Sequence, residues 1–312
     1  MRKYIPILIS LLLIAVAGYM VVNKKNENSI MSNKNEKRTD TIGTFSVQRA
    51  CARPPQFLKH LKIPQPVMID LSQQRFKGIA FLYGKKFQKA LHPKRWERYE
   101  HFGTYTVDSI GNIYLAPMPF ISILPTTFNL QKNIYRLDSK TGELSIFMHL
   151  EDVIPNANNP YGITSIVYDC DDNTLWVAAI DESTYLEQKG VIYHIDLRSK
   201  SILQKVKGFD ALTIQLLKSS KGKYLLSGSA RDNALYVFAI ADSKLKRTPH
   251  KLLDLPDAGE HIRKIKVKGK NVLELQSIPF SYALIAQTAK NDRTNYRAVW
   301  DEKSSVWKMK KR

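Results

Sequence analysis

Asp169, Asp171 and Asn173 in the run DCDDN have the D-x-D-x-N spacing that opens a calcium-binding loop. Such a loop needs a glycine at its sixth position for a sharp turn and a bidentate glutamate at its twelfth. Thr174 and Ile180 occupy those places, so the run reads instead as a polar hairpin turn. A second set of oxygen-bearing and aromatic side chains is spread over separate loops: Asn159, Tyr161, Asp181, Tyr185, Asp232, Asp257 and Glu260. These are the candidate binding residues, and Asn159 and Asp181 are the candidates for holding a divalent cation such as calcium. His92 and His101 flank a basic aromatic stretch, HPKRWERYEH, that could touch phosphates but reads as strand ends carrying solvated charge, so nucleic acid is not an expected partner. His194 lies inside a strand pattern, where a histidine is usually structural. No G-x-S-x-G, P-loop, dinucleotide fingerprint or C-x-x-C occurs.

The elements that must position these residues are strands. Beyond the N-terminal region the apolar residues recur with period 2, as in TYTVD (104 to 108), SIVYD (165 to 169) and TLWVAA (174 to 179), separated by turns of Gly, Asn and Asp. The runs NIYRLD (133 to 138) and VIYHID (191 to 196) show that a unit is repeated. Each unit holds a strand, a polar turn, a second strand, a longer connection, a third strand of the Ile-Tyr type, another polar turn and a fourth strand. Gly111, Asp172, Gly222 and Gly269 mark the first turn of successive units, at separations of 61, 50 and 47. Four antiparallel strands at that spacing predict an all-β fold, a β-propeller of four-stranded antiparallel blades. The stretch from Val67 to Phe102 supplies one irregular blade, which makes five blades, or six if the stretch from Phe45 to Leu61 adds strands. A two-domain sandwich is the competing architecture.

In a propeller the turns joining strands one to two and three to four share one face, and the remaining connections share the other. The first class is short here. The second holds long loops, 117 to 132, 151 to 162, 179 to 189 and 255 to 261, and long loops gathered on a rigid scaffold are the usual place for binding. The long-loop face would carry the seven candidate residues together with Phe120, and the short-turn face lysines such as Lys218, Lys221 and Lys223. That arrangement predicts an acidic and aromatic mouth above a basic base.

The segment NPYGITSIVYDCDDNTLWVAAID followed by GVIYHIDLRSKS resembles blades of the SMP-30/gluconolactonase and NHL class of propellers. The shared features are Pro and Gly-Ile entering the first strand, an Asp-rich turn, an aromatic-Val-Ala second strand and Ile-Tyr-x-Ile-Asp. The lactonases of that class hold a divalent metal with a Glu and Asn/Asp residues at blade entrances, and the resemblance places Asn159 and Asp181 at comparable positions. Pro160, Tyr161 and Gly162 stand where the metal-binding blade has Pro-Asn-Gly.

The chain has 312 residues, a net charge of +20 and 44% hydrophobic residues, enough for a large core and basic enough to be drawn to anionic surfaces. Arg2 and Lys3 precede an apolar run from Ile5 to Val22, which predicts an apolar helix acting as a signal anchor or signal peptide over residues 1–22. Residues 23–43 have the composition of a disordered tether, and 44–312 form the propeller domain. Cys51 and Cys170 allow one disulfide or two free thiols. The expected protein is a monomer, membrane-anchored or secreted, with its domain in the periplasm or outside the cell. Its long-loop face would bind a small molecule, glycan or protein, and its basic face an anionic membrane. The alternative is a metal-dependent hydrolase of the lactonase type.

Overall fold

The computed structural model describes residues 42–48, 51–71, 77–119, 128–283 and 293–312. The apolar segment 1–22, the tether as far as residue 41 and Phe120 lie outside the described residues. Among the described residues no helix is long and apolar enough to cross a membrane.

The fold is a five-bladed β-propeller. The first blade contains β1 (Met68–Asp70), β2 (Ala80–Tyr83) and β3 (Lys89–Leu91). The second is β4 (Phe102–Val107), β5 (Ile113–Pro117), β6 (Asn133–Leu137) and β7 (Leu144–His149), and the third is β8 (Ile163–Asp169), β9 (Thr174–Ala179), β10 (Val191–Asp196) and β11 (Ile202–Lys207). The fourth has β12 (Ala211–Ser219), β13 (Gly222–Ser229), β14 (Ala234–Ala241) and a short β15 (Lys244–Leu245), with β16 (His250–Asp254) completing it against β14. The fifth is β17 (Glu260–Gly269), β18 (Val272–Pro279), β19 (Thr294–Asp301) and β20 (Val306–Lys311). Among the described residues the strands of each sheet pair antiparallel, and the inner strands β4, β8, β12 and β17 pack against one another in sequence around the axis.

The stretch from Phe45 to Leu61 makes no sixth blade. Phe45 forms a single bridge to Ser219, and Gln56–His60 fold as α1, which buries Phe57 and Leu58. Ile42 is already buried in the core between the fourth and fifth blades, so the folded unit runs from Ile42 to Arg312. Backbone bonds hold this N-terminal strap on the short-turn face: Ser220 N donates to Thr44 O at 2.8 Å, and Asn271 N to Phe45 O at 2.8 Å. The HPKRWERYEH stretch is only partly solvated. Trp96 is fully buried between the first two blades, where its indole N–H donates to Gly142 O at 3.0 Å.

The middle strands are covered on both faces, as continuous apolar runs require. In β9, Leu175, Val177 and Ala179 face the second blade, while Trp176 and Ala178 face the fourth. His194 serves this packing. Its ring stacks on Trp176 at 3.8 Å, and its Nε2 shares a 2.8 Å bond with Thr174 Oγ1.

The cysteines are paired. A Cys51–Cys170 disulfide ties the N-terminal strap to the Asp-rich turn of the third blade across 119 residues. Cross-linking so long a loop restricts the unfolded chain, an effect of about 2 to 5 kcal/mol in small proteins. Replacing both cysteines by Ala should lower the unfolding free energy from urea denaturation by that order, and adding reductant to the wild type should lower it to a similar extent, as followed by circular dichroism.

Candidate functional site

The long loops meet at one end of the propeller and lock one another there. Asn159 donates through Nδ2 to Ile180 O at 2.6 Å and to Ser183 O at 2.9 Å, while its Oδ1 accepts from Tyr161 N at 3.1 Å. Asp181 accepts from Ile154 N at 3.0 Å. The two bonds from Asn159 Nδ2 and the one to Asp181 join loop 151–162 to loop 179–189. Arg231, from the fourth blade, donates to the carbonyls of Thr184 and Tyr185 at 2.8 Å each. Tyr185 is largely exposed and meets the Tyr282 ring edge-on at 5.4 Å. Tyr161, Asp181, Tyr185 and Tyr282 therefore share an end although they come from different blades.

The opposite end is built from paired charges. Lys223 bonds Asp169 at 2.5 Å and Asp171 at 3.0 Å, and Lys218 also bonds Asp171. Burial pulls Lys223 down, but the two carboxylates outweigh it and hold its pKa above the ordinary value. An ammonium group thus sits where the D-x-D-x-N spacing suggested a cation, and Asn173, at φ +55°, closes the turn as a hairpin. The base interleaves lysines with carboxylates rather than presenting lysine alone.

The remaining candidate carboxylates serve their own strands and turns. Glu260 is buried and accepts from Ser277 Oγ at 2.7 Å, Thr294 Oγ1 at 2.5 Å and Tyr296 OH at 2.7 Å. Burial raises its pKa, but these three donors outweigh the effect and leave it below the usual value. Asp232 accepts from Tyr236 OH at 2.7 Å and Ala234 N at 3.1 Å, and exposed Asp257 accepts from Gly259 N at 2.9 Å. The five acidic and amide candidates do not share a coordination sphere. Among the described residues no group of three or more His, Cys, Asp or Glu could hold a metal ion. Asn159, the first metal candidate, has its amide committed to two carbonyls.

Asp210 was not legible as a site residue, yet it is the hub of the mouth. It is fully buried, and its Oδ1 accepts from Ser183 Oγ at 2.6 Å and Gly190 N at 2.8 Å. Its Oδ2 accepts from Tyr282 OH at 2.6 Å, with the Arg231 guanidinium 3.6 Å away. One carboxylate thus joins the third, fourth and fifth blades. The available signal was a lone aspartate between Phe209 and the apolar start of β12, since a charge in an apolar run must find partners.

At the axis the mouth narrows to a small pocket with a cavity volume of about 30 Å³. Its walls come from four blades and include Gly103, Thr164, Leu212 and Arg263. These four are equivalent: each is the extra residue of a β-bulge in the inner strand of its blade. A bulge lets one residue leave the ladder and re-aims it, and here it turns all four toward the axis. Among the described residues Arg263 is the one charged wall residue. Its Nη2 donates to Gly103 O, across the axis, at 3.4 Å. Tyr161 and Phe280 also line the pocket, their ring centroids 5.3 Å apart, and Phe280 meets Tyr282 edge-on at 5.3 Å. Gly162 lets loop 151–162 turn in beside them, because a Cβ there would lie 2.3 Å from Gln131 O.

No family model matches the chain, and no curated protein matches it. Among solved structures, the chain is similar to Kuenenia stuttgartiensis hydrazine synthase, at 11% identity and TM-score 0.45, over 89% of this chain and 68% of that one. It is also similar to a glucose dehydrogenase, at 14% identity and TM-score 0.41, over 72% of this chain and 76% of the other. A third is the dihydro-heme d1 dehydrogenase NirN in complex with DHE, at 9% identity and TM-score 0.31, over 80% and 66%.

Two outcomes follow from the mouth's geometry. Asp210→Ala would strand three donors and the Arg231 charge, so a loss of about 3 kcal/mol or more in urea denaturation is expected. Asp181 is buried, with one carboxylate oxygen unpartnered, and burial pushes its pKa from 3.8 up to about 6. A raised carboxyl pKa means the folded state binds the proton more tightly than the unfolded one. The group's contribution to stability is therefore fullest below 3.8 and falls as pH rises to 6. Asp181→Asn keeps the acceptor for Ile154 N and should flatten stability over that pH range, gaining on wild type as pH rises.

Proposed function

We propose that this chain is an exported, membrane-tethered β-propeller that binds a ligand or partner through its long-loop face, with its blades akin to the SMP-30/gluconolactonase and NHL class. The observation that carries this reading is the division of labour at the mouth. Asn159, Asp210, Asp232 and Glu260 are engaged in holding the fold, while the walls of the axial pocket among the described residues include aromatic rings and one guanidinium. Tyr161 and Phe280, both partly exposed, supply flat apolar area at low entropic cost, a usual property of binding surfaces. Tyr185 and the nearly fully exposed Leu186 extend that surface outward.

Export is supported by the Cys51–Cys170 bond, since disulfides persist in oxidising compartments. Attachment to an anionic membrane through the short-turn face is supported by the position of Thr44 and Phe45, which lie on that face beside Ser219, Ser220 and Lys270. The lactonase reading would place a divalent cation at Asn159 and Asp181, and their surroundings do not favour it: Asn159 Oδ1 already accepts from Tyr161 N, Asp181 accepts from Ile154 N, and among the described residues no group of three or more His, Cys, Asp or Glu gathers there.

The test is a paired assay on the full chain in detergent. Small lactones are offered with calcium, manganese or zinc for turnover, and a panel of neutral and anionic aromatic compounds is offered for binding. Binding without turnover is expected, weakened by Tyr161→Ala. Metal-dependent lactone hydrolysis lost in Asp181→Ala would overturn the proposal in favour of the hydrolase.

A further inference from the structure

We propose that the axial pocket is a carboxylate-binding site in which Arg263 receives the anionic group of a ligand whose flat apolar body lies on Tyr161 and Phe280. The inference rests on the binding reading above and names the ligand class. It begins with the ring of bulges. Four inner strands each release one residue toward the axis, and three of the four, Gly103, Thr164 and Leu212, carry no charge. Thr164 gives its hydroxyl to the carbonyls of Ala178 at 3.2 Å and Ala211 at 2.7 Å, so it is spent on the fold. Arg263 alone brings unspent hydrogen-bonding capacity.

A guanidinium has five N–H donors in a fixed fork. Among the described residues Arg263 makes one hydrogen bond, to Gly103 O at 3.4 Å. The charged or titratable groups it senses are the Tyr161 phenol and a second cation, Arg293, and among the described residues no carboxylate lines its pocket. Lys264 beside it adds a third positive group. Burial disfavours the charged form of Arg263, and Arg293 disfavours it further. Charges taken out of water are normally paired. A half-buried guanidinium crowded by cations and walled by Pro117, Met118, Leu212 and Ile278 lacks its complement, and the complement is an anion.

The size of the pocket narrows the class. A cavity of about 30 Å³ takes a group of carboxylate size and little more. A planar fork matches the two oxygens of a carboxylate. The rest of the ligand must then project toward the mouth, where Tyr161 and Phe280 present partly exposed rings. His261 lies edge-on to Phe280 at 5.8 Å. Its pKa is held down by burial, so at neutral pH it adds ring surface without charge.

Benzoate and its neutral counterpart benzyl alcohol test the site by isothermal titration calorimetry and ligand-observed NMR on the full chain in detergent, with the melting temperature of each variant confirming folding. Wild type should bind benzoate about ten-fold or more tightly than benzyl alcohol, the usual worth of a charge-assisted hydrogen bond. Arg263→Gln should remove that preference, and Arg263→Lys should restore part of it. Benzoate binding should weaken with added chloride, and benzyl alcohol binding should not. The comparison of the two probes on wild type needs no variant, so a poorly folded mutant does not protect the proposal. Equal affinity for the two probes, undiminished benzoate binding in Arg263→Gln, or no binding of either probe would each overturn the carboxylate site. Equal affinity lost in Tyr161→Ala would do so while leaving the mouth as a binding surface. Lactone turnover would instead sink the proposed function and leave the Arg263 comparison standing on its own result.

Discussion

Every blade interior depends on being covered from both sides. β9 reads Thr-Leu-Trp-Val-Ala-Ala, and all six residues are buried, with alternate side chains entering the cores toward the second and fourth blades. β5 does the same, sending Ile113 and Leu115 to the first blade and Tyr114 and Ala116 to the third. A sheet apolar on both faces cannot stand alone in water, because half of its side chains would remain exposed whichever way it packed. Stacking sheets around an axis satisfies both faces at once, and the inter-blade cores are the result.

That arrangement sets the division between the two ends. Side chains inside the blades are consumed by packing, so polar chemistry is confined to the loops. At the short-turn end the turns are tight, and their Asp and Lys residues sit close enough to pair across blades, as Asp169 and Lys223 do. At the other end the connections are longer and need internal cross-bracing. Asn159, Asp181, Asp210 and Glu260 supply it by accepting or donating hydrogen bonds that would otherwise go unmade. Asp210 and Glu260 so used are poor ligands for a metal, because both oxygens of each already face protein donors. What such bracing leaves over at the mouth is rings, and at the axis one guanidinium.

The axis itself is shaped by a local irregularity repeated four times. An inner strand with uninterrupted pairing would alternate strictly, and its axial side chains would follow from the register. The bulges at Gly103, Thr164, Leu212 and Arg263 break that alternation near the same end of each inner strand. Three of them carry small, apolar or satisfied groups, and the fourth carries a charge. Gly103 opposite Arg263 leaves a bare carbonyl for the guanidinium to touch. Repetition of the bulge belongs to the blade architecture, and the difference at Arg263 belongs to this site.

Much of the fold was readable along the chain, for a simple reason. Period-2 apolar runs, turn residues and a repeated strand order are local properties, and local properties survive in a one-dimensional string. They determined strands, blades and the gathering of Asn159, Tyr161, Asp181 and Tyr185 at one end. Tertiary structure alone decided how those residues are used. Asp210, Ser183, Arg231 and Tyr282 meet from separate blades, and nothing in their spacing announces it. Trp96 looked like part of a charged surface stretch, but its ring fills a core shared with Phe57 and Phe81. Cys51 and Cys170 could have remained apart, and only the strap's path over the third blade brings them together. Arg263 sits in IRKIKVKG, where simple alternation gives no hint of a bulge. Its direction depends on its standing unpaired between the Ile262–Ser277 and Lys264–Gln276 pairs with β18, and register of that kind exists only when two strands are side by side.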